Sequence, residues 1–318
     1  MMHYQFVGID VAKDKFDVAL QINGKYKLEV FPNLQKGYQA FVKWLNKYTT
    51  QPWVCMEATG HYSELIADYL CSVNINVSVI NPLQIKSFAR AKLARNKTDQ
   101  LDAKLIAAYG EIMKPRLFSP RTESHKQLKE LSNLLDMLKA QHTQLANQKS
   151  CTQSTPVRKA LEKLLKSLAK EIKKIEASIA EIIQQHQELT TNMQLMTSIK
   201  GVGKLTAYKV IAQVPHFHHF KHAKQFAAFI GITPKQKQSG NFKGKTTISR
   251  LGDSALRKAL YMAALVAIRF NETVKAFANR LKANGKAPKA IICAAMRKLA
   301  HYIFGVIRNG RPFDANYA

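Results

Sequence analysis

The chain has 318 residues, of which 46% are hydrophobic, enough apolar material for a substantial core in two or three domains. Its formal net charge at pH 7 is +28, which exceeds what solubility requires and points to a polyanionic partner, nucleic acid before membrane. The four cysteines are far apart and lack metal-ligand spacing, which argues against a disulfide-stapled secreted domain and predicts reduced core thiols.

Basic residues are concentrated towards the C-terminus. Residues 191–318 contain 22 Lys and Arg against 3 Asp and Glu, whereas residues 1–110 contain 13 against 9. The last third therefore holds most of the capacity to bind a polyanion. The N-terminus runs directly into a strand pattern, and no run of about 18 apolar residues stands out, so we expect neither a signal peptide nor a membrane span in a cytoplasmic protein.

The first strand pattern, residues 4–10, places Asp10 among apolar neighbours with Gly8 close by. A buried carboxylate is unfavourable unless it is paired, hydrogen-bonded or bound to a cation. The fold therefore either neutralises Asp10 or uses it. The plainer alternative is an acid solvated at a strand end.

Further strands are predicted at residues 16–20, 25–31, 53–57 and 76–80, with helical patterns between and after the later ones. The first three form an antiparallel meander because only short turns separate them. The resulting order β-β-β-α-β-α-β-α is that of a ribonuclease H-like domain.

Four acids occur where they can meet. Asp10 lies within a strand, Glu57 ends the fourth strand, and Asp99 and Asp102 share one side of a helix that Thr98 is predicted to cap. Together they can converge on two Mg²⁺ ions, which prefer carboxylate oxygens and serve phosphodiester cleavage when about 4 Å apart. Taken by itself, Asp99 is explained better by the helix dipole, which favours an acid at a helix N-terminus, than by metal binding. The remaining nearby acids are predicted to be solvated on the surface: Asp14, Asp17, Glu64 and Asp68.

The middle third, residues 120–190, contains two heptad seams. Apolar residues recur every three or four positions over residues 128–145 and 161–182, and a Ser-Thr-Pro break at 154–156 separates the two. We expect an antiparallel coiled-coil hairpin that either folds on itself or builds a dimer.

The run Lys-Gly-Val-Gly-Lys at residues 200–204, between two helical patterns, resembles a helix-hairpin-helix element. Glycines in such elements let backbone N–H groups approach a phosphate, and the flanking Lys200 and Lys204 favour that contact. An ordinary helix end followed by a turn explains the two glycines about equally well.

Residues 229–253 form a long polar loop that is basic and contains no acid before Asp253, the predicted cap of the next helix. Composition alone supports a solvated DNA-binding loop in which Ser239 serves a turn. Arg257 continues the basic patch on the following helix. The triplet His216, His218 and His219 is interpreted as a surface turn rather than a metal site, because no Cys or acid lies nearby.

Together, these motifs resemble the insertion-sequence 110 family of DEDD transposases, to which the Piv-type DNA invertases are related. The resemblance covers nearly the whole chain. It rests on residues 8–13, 57–60 and 97–103 at the front and on residues 231–234, 239–240 and 248–252 at the back. Lys200 departs from the pattern because relatives often have proline there.

The resemblance implies a RuvC-like domain at residues 1–115, in which Asp10, Glu57, Asp99 and Asp102 bind Mg²⁺. It also implies a mainly α-helical DNA-binding domain at residues 191–318, in which Ser239 attacks DNA and holds a phosphoserine intermediate. A guide non-coding RNA encoded by the same element, donor and target DNA, and further copies of the chain in a dimer or tetramer are the implied partners. The implied location is the bacterial nucleoid.

Seven basic residues are predicted to contact nucleic acid: Lys13, Lys200, Lys204, Lys243, Lys245, Arg250 and Arg257. Three of them, Lys243, Lys245 and Arg250, are placed to neutralise a pentavalent phosphate if Ser239 is the nucleophile. A serine hydroxyl needs activation, and no histidine lies close to it in sequence, so we expect the carboxylate–metal centre to supply it.

The sequence therefore predicts a site-specific DNA recombinase that moves an insertion sequence. Three alternatives remain open: a Piv-type invertase, a RuvC-like nuclease that resolves junctions by hydrolysis, and a non-catalytic nucleic-acid-binding protein whose acids are structural.

Overall fold

The computed structural model describes residues 4–317 except 94, 95, 97, 237, 240, 241 and 245, with the backbone alone at 238, 239, 242, 243 and 317. The chain divides into two compact units, residues 1–120 and 121–318. The first unit is α/β and the second is mostly helical. The predicted division into three domains stays a prediction.

A mixed five-stranded sheet forms the centre of the first unit, with the strand order β3-β2-β1-β4-β5. The strands are β1 (Gln5–Val11), β2 (Lys15–Ile22), β3 (Lys25–Pro32), β4 (Pro52–Glu57) and β5 (Asn76–Ile80). The first three form an antiparallel meander, and β4 and β5 run parallel to β1. The predicted meander is confirmed.

Four helices cover the two faces of this sheet: α1 (Gln35–Leu45), α2 (His61–Ser72), α3 (Pro82–Ala91) and α4 (Asp99–Met113). Apolar residues of α1 and α2 pack with Val7, Ile9 and Val11 on one face. Apolar residues of α3 and α4 pack with Phe6 and Cys55 on the other. Both faces are therefore buried, and the predicted order of elements up to α3 is confirmed.

The second unit contains eight α-helices among its described residues: α5 (Glu123–Cys151), α6 (Thr155–Gln184), α7 (Gln187–Thr197), α8 (Lys204–Gln213), α9 (Ala223–Ile230), α10 (Ser254–Phe270), α11 (Glu272–Ala283) and α12 (Pro288–Asn309). Short 3₁₀ turns lie at Phe217–His219 and Ala315–Tyr317. The turn at 217–219 contains His218 and His219, which agrees with the surface turn predicted for the three histidines.

The hairpin of α5 and α6 folds on itself. Lys139 pairs with Glu176 at 2.8 Å and Lys149 with Glu162 at 2.9 Å, so residues later in α5 meet residues earlier in α6. This pairing confirms the predicted antiparallel arrangement. Apolar residues at the base of the hairpin join the main core of the second unit.

The turn between α7 and α8 packs closely against α10. Gly201 has φ +107°, and a Cβ placed there would lie 2.6 Å from the Cβ of Ala267. Asn271 Nδ2 donates a hydrogen bond of 3.1 Å to the carbonyl oxygen of Lys200. Two helices joined by a turn agree with the predicted helix-hairpin-helix-like element, which stays a prediction, and packing alone accounts for the glycine at 201.

The segment before α10 is more ordered than the predicted loop. It contains two short antiparallel pairs, β6 (Pro234–Lys235) with β9 (Thr247–Ile248) and β7 (Gln238–Ser239) with β8 (Phe242–Lys243). The predicted long polar loop therefore contains two strand pairs that the sequence did not predict, because two-residue strands are too short to show alternation. The predicted cap is confirmed, since Asp253 Oδ1 accepts the N–H of Leu256 at 2.8 Å.

Within the described part of the chain, only α12 has the length and hydropathy of a membrane-spanning helix. The helix contains Arg297 and Lys298, so it is not an unbroken apolar run, and the expectation of no membrane span stays a prediction. One side of α12, including Met296, Leu299 and Ile303, is buried in the core of the second unit. All four cysteines are free thiols, but Cys151 is exposed, so it is not the core residue that was predicted.

Candidate active site

Helix α4 lies directly on strand β1 at Gly8. A Cβ added to Gly8 would lie 1.9 Å from the carbonyl oxygen of Ala103 and 2.4 Å from the amide nitrogen of Ala107. Only glycine therefore allows this approach. Because Gly8 meets residues one turn beyond the start of α4, the acidic first turn of the helix lies towards Asp10.

The alternation of the strands puts two predicted acids on the face that α4 covers. In β1, Phe6 packs with the apolar residues of α4, so Asp10 shares its face. In β4, Cys55 packs in the same cluster, so Glu57 shares that face. The strands are paired neighbours, with Ile9 opposite Met56.

The pKa of Asp10 is raised by its surroundings. Burial, the largest cause, and the carboxylates of Asp102, Asp99, Glu57 and Asp17, in decreasing order, together raise it from 3.8 to about 6. Glu57, Asp99 and Asp102 are therefore near enough to the half-buried Asp10 for their negative charges to raise its pKa.

Asp17 is a fifth acid of this cluster, and the prediction that it is a solvated surface residue was wrong. Its relative exposure is 4%, and it is directly opposite Asp10 in the antiparallel pairing of β1 and β2. Directly opposite residues share a face of the sheet, which places Asp17 beneath α4 beside the predicted acids. Asp14 is exposed as predicted, whereas Glu64 and Asp68 are half-buried.

Lys15 joins two members of the cluster. Its Nζ lies 2.9 Å from Asp17 Oδ2 and 2.9 Å from Asp99 Oδ2. These hydrogen bonds, with Asp17 contributing most, raise the pKa of Lys15 above its ordinary value. Sequence reasoning missed Lys15 because a lysine two residues from an acid on a strand is common and carries no signal of its distant partner.

The acids suit a hard divalent cation by their chemistry. All are oxygen donors, which Mg²⁺ and Mn²⁺ prefer, and a dication would relieve the repulsion that raises the pKa of Asp10. In the described part of the chain, no three His, Cys, Asp or Glu side chains are grouped so that they can enclose a metal ion. A metal ion among these acids would need side chains to rotate, and the contact of Lys15 with Asp99 Oδ2 would compete with it.

Comparison with known proteins identifies the family. A protein-family model described as transposase of the IS116/IS110/IS902 family matches residues 193–279. A second family model, a DEDD transposase of the IS110 type, matches residues 7–152. A pilin gene-inverting protein of Moraxella bovis is 30% identical to the chain and covers 98% of this chain and 98% of its own length. The chain belongs to the IS110 transposase family.

A second relative supports this assignment. The transposase of insertion sequence element IS1111A from Coxiella burnetii is 25% identical over 85% of this chain and 79% of its own length. The family prediction is confirmed, and this IS110-family protein is a DNA recombinase or transposase, so the non-catalytic alternative is set aside. Its DEDD domain implies dependence on a divalent metal.

The predicted nucleic-acid contacts of this IS110-family protein differ in their surroundings. Lys13, Lys200, Lys204 and Arg250 are exposed. Arg257 is half-buried and donates from Nη1 to the carbonyl oxygen of Ile230 at 2.8 Å, which satisfies a carbonyl at the end of α9. Arg257 thus has a structural role that the sequence did not indicate, and its contact with nucleic acid stays a prediction.

The candidate nucleophile lies in the short hairpin of β7 and β8. The backbone of Ser239 pairs with that of Phe242. The side chains of Ser239 and Lys243 lie outside the described part of the structure, as does the whole of Lys245. The roles of these three residues therefore stay predictions.

Proposed function

We propose that this IS110-family recombinase cuts and rejoins DNA through a phosphoserine at Ser239, with Mg²⁺, as two ions, held by Asp10, Glu57, Asp99 and Asp102. The observation that supports this most strongly is that Glu57, Asp99 and Asp102 lie near Asp10, whose pKa is raised by burial and by their negative charges. The order of strands and helices in the first unit agrees with a RuvC-like, ribonuclease H-like domain.

In this proposal the acids have different roles. Asp10 and Glu57 lie on paired central strands and supply fixed ligands, whereas Asp99 and Asp102 come from the first turn of α4. A divalent ion bound there supplies Lewis-acid stabilisation of the phosphate. Ser239 Oγ loses its proton and bonds to phosphorus, while the bond from phosphorus to a sugar oxygen breaks and that oxygen leaves as a hydroxyl. Rejoining reverses these steps.

Basic residues hold the nucleic acid for this reaction. Lys13, Lys200, Lys204 and Arg250 are exposed, and residues 191–318 have 19 more basic than acidic side chains (22 against 3). Lys243, Lys245 and Arg257 are the other three basic residues that the sequence predicted to contact nucleic acid. The partners are donor and target DNA and a guide non-coding RNA, and the protein acts as a homo-oligomer in the cytoplasm, at the nucleoid.

Inversion of a DNA segment is the second candidate outcome. The pilin gene-inverting protein of Moraxella bovis matches this chain over 98% of both lengths. Excision, insertion and inversion use the same strand cleavage and rejoining, so they differ in how the DNA sites are arranged. Recovered products on substrates with directly and inversely repeated sites distinguish transposition from inversion.

The covalent step is tested by trapping the protein on DNA under denaturing conditions with Mg²⁺. The wild-type protein should yield a protein–DNA adduct, and Ser239→Ala should yield none. The matched control Ser254→Ala, at the exposed start of α10, should trap as the wild type does. Cleavage by Ser239→Ala at the wild-type rate would favour the junction-resolving nuclease that uses water.

A further inference from the structure

Lys15 links two parts of the first unit that are distant in sequence. It is the first residue of β2, and its side chain is half-exposed. One partner, Asp17, is buried on the same strand, and the other, Asp99, is the first residue of α4, 84 positions along the chain. Both N–O distances are 2.9 Å.

These contacts place a positive charge beside the candidate metal ligands. Asp17 is directly opposite Asp10 in the sheet, and Asp102 lies one helical turn beyond Asp99. A buried carboxylate such as Asp17 needs a partner, and the ammonium supplies it. The same ammonium also neutralises part of the charge that gathers around Asp10.

We propose that Lys15 is a positioning residue that serves as a built-in counter-ion of the acid cluster and limits its affinity for divalent cations. It holds Asp99 and Asp17 while no metal is bound, and it releases Asp99 Oδ2 when an ion arrives. This inference rests on the proposed function, in which Asp99 is a metal ligand.

Electrostatics sets the direction of the effect. A lysine ammonium repels an incoming dication and competes with it for Asp99. Removing the ammonium leaves five carboxylates without that cation, so a divalent ion should bind more tightly. A lysine that only fastened α4 to the sheet would have the opposite effect, because its loss would loosen Asp99 and Asp102 and weaken the site.

The test is Mn²⁺ binding to the full-length protein without DNA, measured by calorimetry and by the electron paramagnetic resonance of free Mn²⁺. Lys15→Met removes the charge and keeps the length, and Lys15→Gln also keeps a hydrogen-bond donor. Both variants should bind Mn²⁺ at least about tenfold more tightly than the wild type. Lys15→Arg should stay within about twofold of the wild type because it preserves the ion pairs.

Two controls make the result specific. Lys36→Met removes an exposed lysine from α1, on the opposite face of the sheet, and should leave Mn²⁺ affinity unchanged. Asp10→Asn should weaken binding in both the wild-type and the Lys15→Met background, which shows that the measured ion is at the acid cluster. Circular dichroism of each variant confirms that it is folded.

Unchanged or weaker binding by folded Lys15→Met and Lys15→Gln overturns the proposal. If the wild type binds Mn²⁺ in a manner that depends on Asp10, that failure concerns Lys15 alone and the metal centre stands. If neither the wild type nor the Lys15 variants bind Mn²⁺, the counter-ion proposal and the metal part of the proposed function both fail.

Discussion

At the residue scale, Asp10 shows how the sheet creates a reactive group. It lies on a central strand, under a helix whose first turn is acidic and beside an acid of each neighbouring strand. Burial and these carboxylates raise its pKa to about 6. The crowding of these negative charges therefore destabilises the folded protein, and a bound cation would remove this cost, as is common where function opposes stability.

Asp10→Asn should stabilise the metal-free protein in a pH-dependent way. The pKa is about 6 when folded against 3.8 ordinarily, so the folded state holds the proton more tightly between these values and stability falls as pH rises through them. The amide avoids this loss, which solvent screening of the partly exposed carboxylate holds to about 1 kcal/mol at pH 8, and it changes stability little at pH 4. Urea unfolding in the presence of a chelator measures the free energy of unfolding at pH 8 and at pH 4.

The neighbouring exposed acid provides the control for this prediction. Asp14→Asn should leave the free energy of unfolding unchanged at both pH values. An Asp10→Asn protein that gains no more stability at pH 8 than at pH 4 would show that the carboxylates do not crowd Asp10.

The sequence identified Asp10, Glu57, Asp99 and Asp102 because each lies at a recognisable place in a strand or helix pattern. It could not identify Asp17 or Lys15. The position of Asp17 beside Asp10 depends on the register of β1 and β2, and the second contact of Lys15 depends on how α4 lies on the sheet. An apolar pattern fixes neither the hairpin register nor the packing of the helix.

At the scale of elements, the contact of α4 with β1 determines where the acids meet. Gly8 permits this contact, and Gly110 permits a second one further along α4, where a Cβ would lie 2.5 Å from Cys55 Sγ. Thr98 starts the helix by accepting the N–H of Leu101 at 3.3 Å. The position of α4 therefore depends on residues with no chemical role of their own.

Gly8→Ala should displace α4 and disable the site without touching an acid. The added methyl group would overlap the backbone of Ala103, which cannot move without shifting the helix. We expect a loss of about 3 kcal/mol in the free energy of unfolding and loss of strand cleavage. Urea unfolding and a DNA cleavage assay measure the two effects.

Gly305→Ala in α12 is the matched control, because a Cβ there has no heavy atom within 4 Å. It should retain stability or gain slightly, since alanine favours a helix interior. A Gly8→Ala protein as stable and active as Gly305→Ala would contradict the close packing of α4 on β1.

Elements with long repeating patterns were predictable, and very short ones were not. The heptad seams of α5 and α6 extend over many turns, so the hairpin followed from the sequence. The strands β6 to β9 have two residues each among prolines, glycines and polar side chains. Their pairing depends on the backbone around them rather than on an apolar pattern.

At the scale of the whole molecule, basic residues and the acid cluster are unevenly distributed. The acid cluster belongs to the first unit, whereas residues 191–318, in the second, have 22 basic against 3 acidic residues. This asymmetry was evident from the sequence. Packing of the hairpin base into the core of the second unit was not, because the seams alone do not show which other helices they meet.

Removing Lys200 and Lys204 together should weaken DNA binding and its salt dependence. Each lysine that neutralises a phosphate contributes about 0.9 to the slope of log affinity against log salt concentration. Lys200→Ala/Lys204→Ala should therefore reduce the magnitude of that slope by about 1.8. Fluorescence anisotropy at several salt concentrations measures it.

The control for this prediction is Lys25→Ala/Lys36→Ala, which removes the same charge from exposed positions in the first unit. Its slope should equal that of the wild type. Equal slopes for both double variants and the wild type would show that the turn before α8 does not contact phosphate.

The most direct test of the central claim is anomalous diffraction from crystals of the full-length protein soaked in Mn²⁺. We predict anomalous density among Asp10, Glu57, Asp99 and Asp102, with Lys15 Nζ withdrawn from Asp99 Oδ2. No anomalous density at these acids, with the Lys15–Asp99 ion pair intact at saturating Mn²⁺, would contradict the claim that they form a metal centre.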